Sequence, residues 1–219
     1  MFLNEDLLVY IYTIILTLWV FFVTAYLTKK IYHYMISRRY PHNVVVYYNR
    51  KIIHIAAAGL VAFLVPFIYK DPLIPFVLGL FFGAVTYIPR RMNKLMYWFQ
   101  VPENTYEVHF TILWGLSIYL MYLFTHNMFM SVIPAVFMSI GDGVTGIVRN
   151  LIYKKRTKSW YGNFAMMAVI SPIGYAFAGL GGLVAGVVAS LIEKLEGVDD
   201  NITIPLATVV VLFLWRIFG

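Results

Sequence analysis

Cysteine is absent from the 219 residues, so neither disulfides nor thiolate metal sites are open to this chain. Charge is nearly as scarce: Asp, Glu, Lys and Arg make up 12% of the sequence, where soluble domains carry about 25%. That shortage excludes an ordinary water-soluble domain. Long polar connections are missing too. The segments between apolar stretches run to roughly twenty residues, short of the roughly 50 that a separate domain needs. No internal repeat is visible, which removes one support for an inverted-repeat transporter. The opening Met1–Asp6 contains Glu5 and Asp6 but no basic residue, so it does not read as a cleavable signal peptide.

What the chain has instead is apolar length: 61% of its residues are hydrophobic. A bilayer core takes helices of about 20 apolar residues, because hydrocarbon cannot satisfy free backbone groups. Leu7–Leu27, Ile52–Tyr69, Leu73–Ile88, Val108–Phe124 and Ile202–Phe218 approach that length. Met128–Ile140 is shorter and contains Pro134. Asn163–Ile192 is too long for one crossing. It carries Gly179-Leu180-Gly181-Gly182, which reads as a tight turn between two short helices. The expected class is therefore all-α: a polytopic transmembrane helical bundle, one integral-membrane domain over 1–219. Its spans, about eight in number, lie near 7–27, 52–69, 73–88, 108–124, 128–140, 163–178, 182–192 and 202–218. The small residues from Gly179 to Ser190 also suit close helix packing in lipid.

The formal net charge is +7. Every Lys and Arg except Lys70 and Arg216 falls within 28–51, 89–107, 141–162 or 193–201. In a soluble protein such an excess would suggest nucleic acid. Beside membrane segments it reads as orientation and contact with anionic head groups, with no nucleic-acid partner. The positive-inside rule puts those four segments in the cytoplasm. The connections 70–72, 125–127 and 179–182 and both termini then lie outside.

Within the charged segments, four groups carry chemistry. Asp142 lies at the inner end of the fifth span, in Ser139-Ile-Gly-Asp-Gly-Val-Thr-Gly146. A carboxylate at that depth is costly unless it meets a cation or a partner, which makes it a functional candidate. The alternative is that Asp142 caps the helix that follows. The flanking glycines would admit a phosphate or another backbone. By letters, Gly141-x-Gly143-x-x-Gly146 matches a dinucleotide fingerprint, but that motif needs a preceding strand, and a membrane helix stands there.

Next come Arg149, Lys154-Lys155-Arg156-Thr157-Lys158-Ser159 and Gly162-Asn163. This run is either a solvated cytoplasmic loop or a cradle for a triphosphate. In the cradle, Lys and Arg neutralise phosphate oxygens while Ser and Asn donate hydrogen bonds. No Walker A sequence is present. The third group is Glu193 with Asp199-Asp200-Asn201, hard oxygens that suit Mg²⁺, or else an acidic turn with Asn201 capping the last helix. The fourth is Arg50-Lys51-Ile-Ile-His54, where Lys51 and His54 share a helical face. Glu103 and Glu107 form a further pair that would bind metal or neutralise Arg90, Arg91 and Lys94, the second being preferred. All of these fall on one face of the eight-span arrangement. Acids for a metal, cations for phosphates and an apolar body for a lipid acceptor describe phosphoryl transfer at a membrane surface.

These residues carry a resemblance. Arg50-Lys51-Ile-Ile-His54, Gly141-Asp142 with downstream Lys158-Ser159-x-x-Gly162, and Glu193 followed by Asp199-Asp200-Asn201 and Pro205 recur in order. In them the chain resembles the CTP-dependent integral-membrane lipid-alcohol kinases: the dolichol, phytol and related polyprenol kinases. It is similar, more distantly, to CTP-dependent diacylglycerol kinase and phosphatidate cytidylyltransferase. The match runs from residue 50 onward and leaves the first span uninformative. The chain departs from the pattern at Tyr161, where the family usually has Glu, and at Arg149-Asn150, where it tends to have Gly-Arg.

The resemblance implies a kinase that takes CTP and Mg²⁺ and phosphorylates a membrane isoprenoid alcohol of dolichol, geranylgeraniol or phytol type. Asp142, His54 and Lys51 would be catalytic. Arg149, Lys158, Ser159, Gly162, Asn163 and Arg50 would hold phosphate. Asp142, Asp199, Asp200 and Glu193 would hold metal, and Glu103, Glu107 or Glu193 could replace the carboxylate missing at Tyr161. A cytidylyltransferase, a diacylglycerol kinase and, as a non-enzyme, a small-solute transporter are the competing readings.

Overall fold

The structure, a computed structural model, describes residues 5–153 and 157–219. The cations Lys154, Lys155 and Arg156 of the expected phosphate cradle, and Met1–Asn4, lie outside the described residues. Among those described, every regular element is helical. Seven helices are long and apolar enough to cross a membrane. They are α1 (Glu5–Ser37), α2 (His42–Ile68), α3 (Leu73–Arg91), α4 (Tyr106–Thr125), α5 (Met128–Tyr153), α6 (Trp160–Ile192) and α7 (Asp200–Phe218).

Several of these outrun the apolar stretches that announce them. At 1.5 Å per residue, the 33 residues of α1 extend about 50 Å, well beyond a hydrocarbon core of about 30 Å. The charged segment 28–51 is therefore mostly helix: the end of α1, a turn with Arg39 in the left-handed region (φ 64°), and the start of α2. The fifth span behaves likewise. Pro134 stands in the first turn of the helical run that resumes at Ile133 after a turn residue, Val132, where a missing N–H costs little, and α5 runs on to Tyr153. Asp142 thus lies inside a continuous helix with ordinary right-handed torsions, not at a cap.

The core gathers around α5, the most buried of the seven helices. Its residues Ile133, Val136, Phe137 and Met138 are sealed from solvent. Helices α2, α4, α6 and α7 pack against it, α3 packs on α4, and α1 lies on α2.

Helix α6 is folded back on itself. Helical torsions stop at Ala178 (φ −143°, ψ 20°) and Gly179 (φ 59°, ψ −144°). The second pair is a conformation that glycine alone adopts readily. The arms then press together through Gly174 and Gly182, whose backbones touch, and a Cβ on Gly186 would lie 2.7 Å from Ser171 Cα. Fifteen residues of straight helix would hold those positions about 22 Å apart. The fold-back falls at 178–179, at the start of the glycine run.

The polar ties between elements collect at two ends. At one, Lys70 pairs with Glu5 at 2.6 Å, Tyr122 donates to Lys70 O at 3.4 Å, and Arg216 donates to Phe124 O. At the other, Asn49 donates to Thr28 O and Trp98 O, each at 2.8 Å, and Arg149 takes up both ends of α6.

Candidate functional site

Three helices are locally widened into π-helical turns: α1 over Phe22–Leu27, α2 over Ile53–Gly59 and α5 over Phe137–Gly141, and the last two carry the site. Such turns bulge the helix and recur where side chains must be aimed. His54 stands on the turn in α2 and Asp142 directly follows the turn in α5. Lys51, one turn before His54, reaches both oxygens of Asp142 at 2.6 and 2.7 Å. His54 Nδ1 lies 3.1 Å from Asp142 Oδ2, a close contact without the geometry of a hydrogen bond. Phe110 stacks on the His54 ring, centroids 3.9 Å apart and planes 10° from parallel, which fixes the imidazole. Gly146, one turn beyond Asp142, leaves the space that the Lys51 stem fills, and Gly143 admits Ile55, so these two glycines admit α2 while Gly141 admits Met166 and Ile170 of α6.

A second knot ties α5 to both ends of α6. Arg149 makes a fork to Glu193, with Nη1–Oε1 and Nη2–Oε2 both 2.7 Å, and donates to Asn163 Oδ1 at 2.8 Å and Ser159 O at 3.0 Å. The fork geometry suits a buried carboxylate in a way that lysine does not. Gly162 leaves room for the guanidinium, since a side chain there would collide with it. Lys158 bridges onward, 3.0 Å from Glu193 Oε1 and 2.7 and 2.9 Å from the oxygens of Asp200.

The two knots meet. Asp142, Glu193 and Asp200 each offer a carboxylate oxygen within 4.8 Å of the others. The first two are buried and Asp200 is partly covered. Three acids from α5, the end of α6 and the start of α7 thus converge, matched by the three cations Lys51, Arg149 and Lys158. The donor set is hard oxygen throughout and fits Mg²⁺, which holds few protein carboxylates and keeps the rest of its shell for water and phosphate.

The acids sit at the polar end of a cavity of about 230 Å³. Lys51, His54, Asp142, Lys158, Glu193 and Asp200 line that end, and the cavity continues among apolar residues of α1, α2, α3 and α4.

Some expected residues stand elsewhere. Asp199 is outside the group of three: its Oδ2 lies 2.7 Å from His109 Nδ1, and its Oδ1 accepts from Asn201 N at 3.0 Å. Asp199, rather than Asn201, therefore caps α7. Arg50 faces Glu107 at 3.2 Å, with Phe99 O and Asn104 also accepting from it, on the cavity wall rather than beside the three acids. Ser159 contributes its carbonyl, while its hydroxyl is buried without a partner. Tyr161 is exposed, so a carboxylate at that position would not face this cluster; Glu193 is the acid that reaches it.

Of the acidic pair in the third charged segment, Glu107 neutralises Arg90 and also Arg50: it is buried between them and Gln100 and pins the 92–105 connection to α4. Sequence reasoning passed over His109. His109 pairs with Asp199 and is also 3.2 Å from Thr105 Oγ1. A signal for His109 was present: a titratable residue one position inside an apolar span.

No protein-family model, curated protein or solved structure matches this chain.

Proposed function

We propose that this protein is a CTP-dependent kinase that phosphorylates the hydroxyl of a membrane isoprenoid alcohol of dolichol, geranylgeraniol or phytol type. One observation carries the reading: three convergent carboxylates, Asp142, Glu193 and Asp200, close the polar end of a cavity whose remainder is apolar. A lipid hydroxyl and a triphosphate are the two reactants that such a boundary brings together.

In this reading the alcohol oxygen attacks the γ-phosphorus, the bond to the β–γ bridging oxygen breaks, and CDP leaves. Asp142, Glu193 and Asp200 would hold Mg²⁺, which supplies charge neutralisation of the triphosphate when bound. His54, held flat by Phe110 and oriented by Asp142, takes the hydroxyl proton. Lys51 and Lys158, drawn from their carboxylates toward phosphate oxygens, steady the charge that spreads over the transferring group. Arg149 keeps the α5–α6 corner in place through its fork to Glu193.

The membrane arrangement belongs to the same proposal. With α6 counted as two crossings, eight spans put both termini on one side. The positive-inside rule then puts the acids and cations on the cytoplasmic face, where nucleotide is available. A transporter would distribute its polar groups along a pathway toward the midplane. Here they gather at one end.

The test is a transfer assay on purified protein with labelled CTP, ATP, GTP and UTP against farnesol, geranylgeraniol, dolichol and diacylglycerol. Label from γ-phosphate in an isoprenyl monophosphate, with CDP released, is expected. Pyrophosphate release would mean nucleotidyl transfer, and absence of turnover with every pair would overturn the enzyme reading.

A further inference from the structure

Helix α1 presents two apolar faces. Leu18, Trp19 and Phe22 look outward and are exposed. Leu16, Thr17, Val20, Phe21, Thr24 and Ala25 repeat at the spacing of one helical face and line the cavity. In this 33-residue helix the described buried residues are Leu16, Val23 and Thr28. Its inner face therefore covers an empty volume more than it packs a core. Across the cavity stand Leu78 and Phe82 of α3 and Trp114 of α4, and along α2 the lining runs from Tyr47 to Val61, about 20 Å of helix. Where α1 meets α3, the ring of Phe21 lies 5.4 Å from Phe82 and 6.3 Å from Phe81.

From this geometry we infer that the apolar limb of the cavity is a channel for one hydrocarbon chain, with α1 as its outer wall. The acceptor is then a single-chain amphiphile rather than a diacyl lipid. The inference rests on the kinase reading for the head group and on the cavity itself for the tail. An apolar cavity of about 150 Å³ holds a six-carbon ring. By the same scale, the whole cavity of ~230 Å³, polar end included, holds at most about nine carbons, just under two isoprene units. Two acyl chains side by side do not fit in that space. The remaining carbons of a longer alcohol must leave through the Phe21–Phe82 seam into the bilayer. The hydroxyl stays beside Asp142 and His54.

The experiment uses the whole chain in nanodiscs, without nucleotide, and a 20-carbon isoprenoid alcohol carrying a diazirine in its second isoprene unit. After irradiation, label is expected on peptides of α1 and α3 that hold Leu16–Ala25 and Leu78–Phe82. Unlabelled geranylgeraniol should displace it, and dioleoylglycerol at the same concentration should not. Leu16→Trp should cut labelling at least tenfold and Leu18→Trp, on the outer face, should leave it unchanged. Leu16→Phe, a smaller intrusion, should cut it in part with an unaltered melting temperature, which separates a blocked channel from an unfolded one. Label spread evenly over lipid-facing positions such as Leu206 and Val210, or displaced equally by dioleoylglycerol, would overturn the inference. Failed labelling with intact phosphoryl transfer would refute the channel alone, and labelling without any transfer would refute the kinase alone.

Discussion

Each acid of the central cluster already has a cation, and this decides what single substitutions do. Lys51 and Asp142 are both buried and bonded through two contacts of 2.6 and 2.7 Å. Removing one partner leaves the other charged and unpaired, at a cost of about 3–5 kcal/mol, whereas replacing both by apolar side chains is often neutral. Asp142→Ala is accordingly expected to lower the melting temperature in detergent and abolish turnover. The double variant Lys51→Met/Asp142→Leu should recover the melting temperature and remain inactive. Recovered activity in the double variant would show that the pair serves the fold alone. Arg149→Lys is a second discriminating change. It keeps the charge but loses the fork to Glu193 and the bonds to Asn163 and Ser159, so it should destabilise nearly as much as Arg149→Met. Thermal unfolding of the two proteins side by side checks this.

At the scale of elements, the bend in α6 brings its two ends together at Arg149, and glycine makes it possible. Gly179→Ala forces a side chain into a conformation costing about 1–3 kcal/mol. Gly182→Val wedges the arms apart where the Gly174 and Gly182 backbones touch. Both should lower thermal stability, the valine more, and both should weaken binding of a fluorescent nucleotide by separating Asn163 from Glu193. Equal binding in the Gly182→Val protein would refute the coupling. The sequence made this bend legible because glycine in an apolar run has a backbone reason to be there. Helix ends were less legible. Apolar length marks where lipid stops, not where hydrogen bonding stops, so the polar ends of α1, α2 and α5 read as loops. Within the site, Asp142, Lys51 and His54 could be singled out because charge inside an apolar stretch is costly. Their pairings could not, since 91 residues separate Lys51 from Asp142 and nothing local records that distance. Asp199 and Asp200 show the same limit: adjacent acids are indistinguishable by composition, yet one caps α7 beside His109 and the other joins Asp142 and Glu193.

For the whole molecule, the absence of cysteine is an experimental asset. Single cysteines can be placed at Ser37, Glu103 and Glu196 at one end and at Asp71 and His126 at the other. A membrane-impermeant maleimide applied to intact cells is expected to label the second group, and the first only after the membrane is opened. The reverse pattern would put the site on the outer face, and a mixture within either group would break the bundle as described. The order of synthesis has a separate consequence. Arg149 and Lys158 are made before Glu193 and Asp200, the acids they pair with. Until those acids arrive, the two cations lack the carboxylates that pair with them in the folded protein. A premature stop after Ile192 would therefore strand them permanently, and the truncated product should be cleared by quality control as though grossly misfolded.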